Sequence, residues 1–183
     1  GGTLLQHFKE HVLHTDLKRE DVITYYTTCG WMMWNWLVSS LQVGATLYLY
    51  DGNPIYTDAE ILWRKIEEKM ITVFGTSPKY LSIFGKQGLI PKANYNLGSL
   101  RTILSTGSPL PEETFEWVYE NVNSNLQLSS ISGGTDIISC FMLGNPTLPV
   151  YSGEIQCKGL GMKVEAFNEK GESVVGEKGE LVC

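Results

Sequence analysis

At 183 residues the chain is long enough for one domain with a real hydrophobic core, and 43% apolar with 19% charged residues is a globular composition. A net charge of −6 without any Lys/Arg run argues against a nucleic-acid groove or an anionic membrane surface as partner. The longest apolar run, Trp31 to Val43, is interrupted by Asn35, Ser39, Ser40 and Gln42, so neither a membrane span nor a signal peptide is expected.

Leu5, Phe8 and Val12 recur at i, i+3 and i+7, which predicts a helix over 3–14 with that stripe inward. "DVITYYTT" reads as a strand, "WMMWNWLVSSL" as a mostly buried helix and "ATLYLYDG" as a strand closed by a turn. Thr57-Asp58-Ala59-Glu60 has the form of a capping box, opening a helix with Leu62, Ile66 and Met70 on its inner face. "ITVFG" is a short buried strand. "SPKYLSIFGKQG" is a helix with proline in its first turn and glycine at its end. Strand "LRTILSTG", helix "PEETFEWVYENV" and strand "NLQLSSI" follow. In that helix Phe115, Val118 and Val122 face inward, and Glu112 and Glu113 sit at the positive end of its dipole.

Strand and helix alternating at this spacing predict an α/β fold, a parallel βαβ sheet layered with helices. After Gly144 the glycine turns and short strands predict a β-rich segment, dividing the chain into 1–144 and 145–183. Cys29, Cys140, Cys157 and Cys183 are irregularly spaced, as expected of reduced thiols in a cytoplasmic protein. The start at Gly1-Gly2-Thr3 and the stop inside the strand pattern "GEKGELVC" suggest a piece of a longer polypeptide.

Two strand ends carry loops of special composition, Ser105-Thr106-Gly107-Ser108-Pro109 and Ser132-Gly133-Gly134-Thr135-Asp136. In open α/β sheets ligands bind beyond the carboxyl ends of the strands. Glycine lets the backbone approach a phosphate, threonine donates to its oxygens, and aspartate holds Mg²⁺. By spacing and composition alone the plainer reading of both loops is as turns. His7, His11 and His14 have metal-ligand spacing, but no carboxylate or cysteine completes a set, and their stripe points to solvent or a subdomain boundary. Trp31, Met32, Met33, Trp34 and Trp36 read as core, with Trp31 to Met33 placed to line a pocket at a strand end. No Ser-His-Asp or Cys-His set, G-x-S-x-G elbow, Walker A loop or G-x-G-x-x-G is present, so no catalytic residue is assigned within the chain.

The stretches "GGTLLQHFKEH", "TTCGWMMWNWLVSSLQVGATLYLYDG", "LSTGSPLPEETFEWVYENV", "ISGGTDIISCF" and "GLGMKVEAFNEKGE" together resemble the adenylate-forming acyl-CoA synthetases, over essentially the whole chain, and among them the members that activate acetoacetate. The resemblance implies two steps: acetoacetate and Mg·ATP give an acyl-adenylate and pyrophosphate, then coenzyme A displaces AMP. It implies nucleotide contacts from Gly107, Ser108 and Pro109, where serine replaces a common glutamate, and from Ser130, Ile131, Ser132, Gly133, Gly134 and Thr135. It implies Thr135 on the α-phosphate and Asp136 in place of the usual glutamate on Mg²⁺. Trp31, Met32, Met33, Thr106 and Gly133 would wall the acyl pocket, glycine standing where acetyl-specific relatives carry tryptophan. The phosphate loop would precede Gly1, and the ribose-binding aspartate and the catalytic lysine would follow Cys183. The chain alone is therefore expected to be inactive and, with cut edges, to self-associate.

Overall fold

A computed structural model of the chain describes residues 1–56 and 58–183, so the capping role expected of Thr57 lies outside the described residues. Five parallel strands form the central sheet: β1 (Val22–Tyr25), β2 (Thr46–Leu47), β3 (Val73–Thr76), β4 (Thr102–Ser105) and β5 (Gln127–Ser130), in the order β2-β1-β3-β4-β5. Consecutive residues on a strand face opposite ways, so Phe74 and Ile103 join one core while Val73 and Leu104 join the other. That two-sided burial accounts for the β-branched and aliphatic strands of the sequence.

On the first face lie α3 (Ile61–Glu68), α4 (Pro78–Gln87) and α6 (Glu112–Asn121), which bury Leu62, Trp63, Ile66, Leu81, Phe84, Phe115, Val118 and Val122. The Ser77 side chain caps α4 by accepting the Tyr80 N–H, Pro78 opens the helix, and Gly88 ends it in the left-handed region. A one-turn helix, α5 (Pro91–Asn94), has no counterpart in the periodicity. Met70 departs from expectation. Helix α3 stops at Glu68 and the chain reverses at Met70 (φ 51°), leaving it exposed and giving Ile71 the buried position.

The second face is covered by α1 (Gly2–Lys9), continued by a π-helical turn (Glu10–His14), by α2 (Met32–Ser39), continued by a 3₁₀ turn (Ser40–Val43), and by an antiparallel sheet. That sheet comprises β6 (Ser132–Gly134), β7 (Ser139–Leu143) and β8 (Cys157–Lys158) in sequential order. Short strands thus begin at Ser132, ahead of the change in sequence texture at Gly144. A second small sheet, β9 (Glu165–Phe167), β10 (Ser173–Val174) and β11 (Glu180–Val182), has β9 in its middle.

Helix α1 overturns the predicted inward stripe. Leu5 is 71% exposed and Phe8 40%, whereas His7, His11 and His14 are buried at 1%, 0% and 2%. The histidines face neither solvent nor a metal, because every ring finds protein partners. His7 Nε2 donates to the Ile138 carbonyl (2.6 Å), His11 Nε2 to Trp36 (2.9 Å) and His14 Nδ1 to Gly144 (2.8 Å). Hydrogen-bonded polar groups can be buried, and here that satisfaction outweighs the apolar pattern. Among the described residues no group of three His, Cys, Asp or Glu side chains is arranged to hold a metal.

At the amino ends of the strands Arg101 donates to both carboxylate oxygens of Asp21 and to the carbonyls of Thr15 and Asp16. Burial alone would raise the Asp21 carboxyl. Hydrogen bonds from Arg101, Thr72 and the Lys18 N–H outweigh it and hold the group below the usual carboxylate range. This end of the sheet is tied shut, leaving the opposite end open.

Candidate active site

The carboxyl ends of β1, β4 and β5 surround one cavity of about 430 Å³, within the range of small-molecule sites. Strand order reverses between β1 and β3, which opens a crevice at this end of the sheet. Every nucleotide-side and acyl-side residue singled out in the sequence lines it: Trp31, Met32 and Met33 from the start of α2, Thr106 to Pro109 after β4, and Ser130 to Thr135 after β5. Leu110, Ser139, Cys140, Gly153 and Ile155, which sequence reasoning did not select, complete the lining. Asp136 is not part of it; it is exposed in the turn beside Thr135.

The two loops are fastened to each other. Thr106 Oγ1 donates to the Ile131 carbonyl (2.8 Å), and the Ile131 N–H donates to Ser105 (2.9 Å). Gly107 adopts φ 105°, a left-handed conformation that a side chain would strain. On the α2 side the Trp31 ring stands edge-on to Tyr25, centroids 5.8 Å apart, and Tyr25 is edge-on to Trp36 at 6.4 Å. The aromatic run therefore divides: Trp36 is core, and Trp31 to Met33 form the wall.

Ser132-Gly133-Gly134 is a strand rather than a loop. It pairs with β7, Gly133 opposite Cys140 and Gly134 opposite Ser139, with a bulge between Ser132 and Gly133. A Cβ on Gly133 would stand 2.4 Å from the Ser139 carbonyl oxygen, so the absent side chain is required for β6 to close on β7. The turn returns through Thr135 to Ile138, whose N–H donates to the Thr135 carbonyl (3.0 Å). Ile138 has φ 50°, a left-handed conformation costing a β-branched residue about 1–2 kcal/mol.

Cys140 is 2% exposed at the cavity wall. Burial, together with the nearby Glu10 carboxylate, pushes its thiol up, so it serves as a neutral apolar surface and not as a thiolate. Glu10 itself is fully buried behind that wall. It accepts from Trp36 Nε1 (2.9 Å), the Cys140 N–H (3.1 Å), Gln6 Nε2 (3.2 Å) and Ser139 Oγ. In sequence it is one acid of a helix; only the hairpin's return over α1 reveals its place.

The donor set suits a nucleotide and its metal in distinct ways. Thr135 offers a hydroxyl at the cavity edge, and the Gly133–Gly134 strand offers backbone close to it. Asp136 offers one exposed carboxylate, which fits Mg²⁺ held jointly by a carboxylate and phosphates and not a cage of protein ligands.

Comparison with known proteins agrees with this geometry. The family model described as AMP-binding enzyme matches residues 3–183. An acetoacetyl-CoA synthetase of Gallus gallus is 55% identical over the whole chain, which covers 27% of that protein. The acetoacetyl-coenzyme A synthetase of Rhizobium meliloti (strain 1021) is likewise 55% identical, with 28% of its length covered. A solved acetoacetyl-CoA synthetase from Streptomyces lividans superposes with a TM-score of 0.92 at 41% identity, covering 99% of this chain and 28% of the other. The chain thus spans between a quarter and a third of the length of these relatives. With a family model matched over 3–183, the chain belongs to the AMP-binding enzyme family.

Proposed function

We propose that the chain is part of an acid–thiol ligase that activates acetoacetate with ATP and transfers it to coenzyme A. The observation carrying this reading is the single cavity in which the nucleotide-side loop residues and the Trp31–Met33 wall meet at Gly133. The acetoacetyl-CoA synthetases at 55% identity support the choice of acid. In the first step a carboxylate oxygen of the acid attacks the α-phosphorus, forming a mixed anhydride and expelling pyrophosphate. In the second the thiol of coenzyme A attacks the acyl carbon and AMP departs.

In this reading Gly107, Ser108 and Pro109 flank the adenine, and Ser130 to Gly134 border the nucleotide along the β6 edge. The Thr135 hydroxyl donates to the α-phosphate. Asp136 holds Mg²⁺, which when bound offsets phosphate charge. Trp31, Met32, Met33, Thr106 and Gly133 enclose the acyl group and exclude water from it. We place the protein in the cytoplasm, on the support of four unpaired cysteines; among the described residues no helix is long and apolar enough to cross a membrane. We also divide the chain at 144/145, with the β7–β8 pairing tying the two parts.

The test is acid-dependent pyrophosphate release by the full-length protein across acetoacetate, acetate, butyrate and hexanoate. Acetoacetate should give the highest kcat/KM. A higher value for butyrate or hexanoate would replace acetoacetate by a fatty acid, and no release with any acid would leave a noncatalytic nucleotide-binding module.

A further inference from the structure

The buried face of α1 has no part in the reaction just described, yet it grips the hairpin that walls the cavity. His7 takes the Ile138 carbonyl where the turn enters β7, Glu10 takes the Cys140 N–H and the Ser139 hydroxyl, and His14 takes the Gly144 carbonyl at the far end. His14 also accepts the Leu160 N–H at 3.1 Å, beyond β8. The strand is thus held at three points by residues from one helix. The π turn ends that helix with a Thr15 N–H to Glu10 carbonyl bond (3.1 Å), a departure from α-geometry that often accompanies functional sites.

Glu10 is the costly member. It is 0% exposed and, among the described residues, no cation pairs with it. Its carboxylate is met by neutral donors, from α1 itself through Gln6, from α2 through Trp36 and from β7 through Ser139 and Cys140. A buried charge of this kind is a poor device for stability, since a well-packed apolar group would usually serve better. What the carboxylate supplies is two acceptor oxygens facing two elements at once, which fixes the distance between them. Those elements carry opposite sides of the site: α2 begins with Trp31, Met32 and Met33, and β7 begins with Ser139 and Cys140 opposite Gly134 and Gly133.

We propose that Glu10 is a positioning residue that sets the width of the acyl end of the cavity, acting through Ser139, Cys140 and Trp36 and touching no substrate; this rests on the function proposed above. Glu10→Gln keeps the shape but turns one acceptor into a donor that must face an existing donor. In the full-length protein its acetoacetate-to-butyrate ratio of kcat/KM should fall by about tenfold while the KM for ATP stays within about twofold. Amide exchange should rise in 138–143 and stay unchanged in β3 and β4. A merely structural role would lower the melting temperature and the rate with both acids in proportion, leaving the ratio fixed. Ser139→Ala, which removes one hydroxyl from the same carboxylate, should move ratio and exchange the same way and decides the matter if Glu10→Gln does not fold. Ratios within about twofold of wild type together with unchanged exchange at 138–143 would overturn the proposal. A wild-type protein inactive with every acid would instead overturn the proposed function, and the exchange measurement alone would then decide whether Glu10 holds the hairpin.

Discussion

Gly133 shows how one residue answers to two constraints. By resemblance it is the small residue that leaves room for a longer acyl group; by geometry it is the point where β6 touches the Ser139 carbonyl, 2.4 Å from where a Cβ would lie. Any side chain there has to push the hairpin apart before it fills the pocket. Gly133→Ala should therefore lower stability by about 1–3 kcal/mol, read from the denaturant midpoint of the full-length protein. An unchanged midpoint would mean that the hairpin yields freely and that only pocket volume matters at this position. The two glycine- and threonine-bearing segments after β4 and β5 were legible in sequence as strand-end features, though not that Ser132–Gly134 pairs as a strand or that Asp136 stands outside the cavity. Cys140 and Glu10 were not, since one lies in an ordinary strand and the other on an ordinary helix, and only tertiary pairing joins them.

At the scale of the element, α1 and its π turn are held by buried, hydrogen-bonded histidines, two of which resist protonation. Burial pushes His11 down to about 3, against a rise from its bond to the Trp36 carbonyl and with a further fall from His7. With Nε2 donating, protonation would place a hydrogen on Nδ1, which has no partner. Burial likewise lowers His14, outweighing its bond to Gly144; its Nε2 already accepts from Leu160 and would lose that bond on protonation. Since the folded state resists a proton that the unfolded chain takes up near pH 6.5, stability is fullest above that value and declines below it. Between pH 7 and 5 His11 alone should remove about 2 kcal/mol, with His14 adding in the same direction. Urea titrations at the two values check this, and His11→Gln should flatten the dependence. The same helix is where periodicity failed: a stripe of Leu5, Phe8 and Val12 scores as the inner face, but no scale of side-chain hydrophobicity registers that three imidazoles and a carboxylate meet partners on the hairpin and on α2. Elsewhere the period found Leu62 and Ile66 of α3, though not Met70, and Phe115, Val118 and Val122 on and just past α6, because those helices pack on an apolar core.

At the scale of the whole molecule, the parallel order β2-β1-β3-β4-β5 leaves β2 and β5 as edges among the described residues, and α1 with its π turn exposes Leu4, Leu5, Phe8 and Leu13. Unpaired strand edges and exposed apolar clusters are the kinds of surface through which proteins associate. The 183-residue chain is expected to sediment as a concentration-dependent oligomer, and replacing Leu4, Leu5 and Phe8 by serine or glutamine should shift it towards monomer. A monomer across the accessible range for the unaltered chain would contradict this. Alternating βαβ texture sufficed to anticipate the sheet, whereas its strand order and the early start of the antiparallel strands required the coordinates, because neither is encoded in local spacing.

The bond from Glu10 to the Cys140 N–H spans 130 residues of chain, and that from His14 to the Leu160 N–H spans 146. Contacts so distant in sequence are among the slowest to form. During synthesis α1 is made before the central sheet and before the hairpin that seats it. The hairpin that seats α1 thus follows all five strands of the central sheet in the chain, and the wall of the cavity closes only once β7 has been made and has met α1.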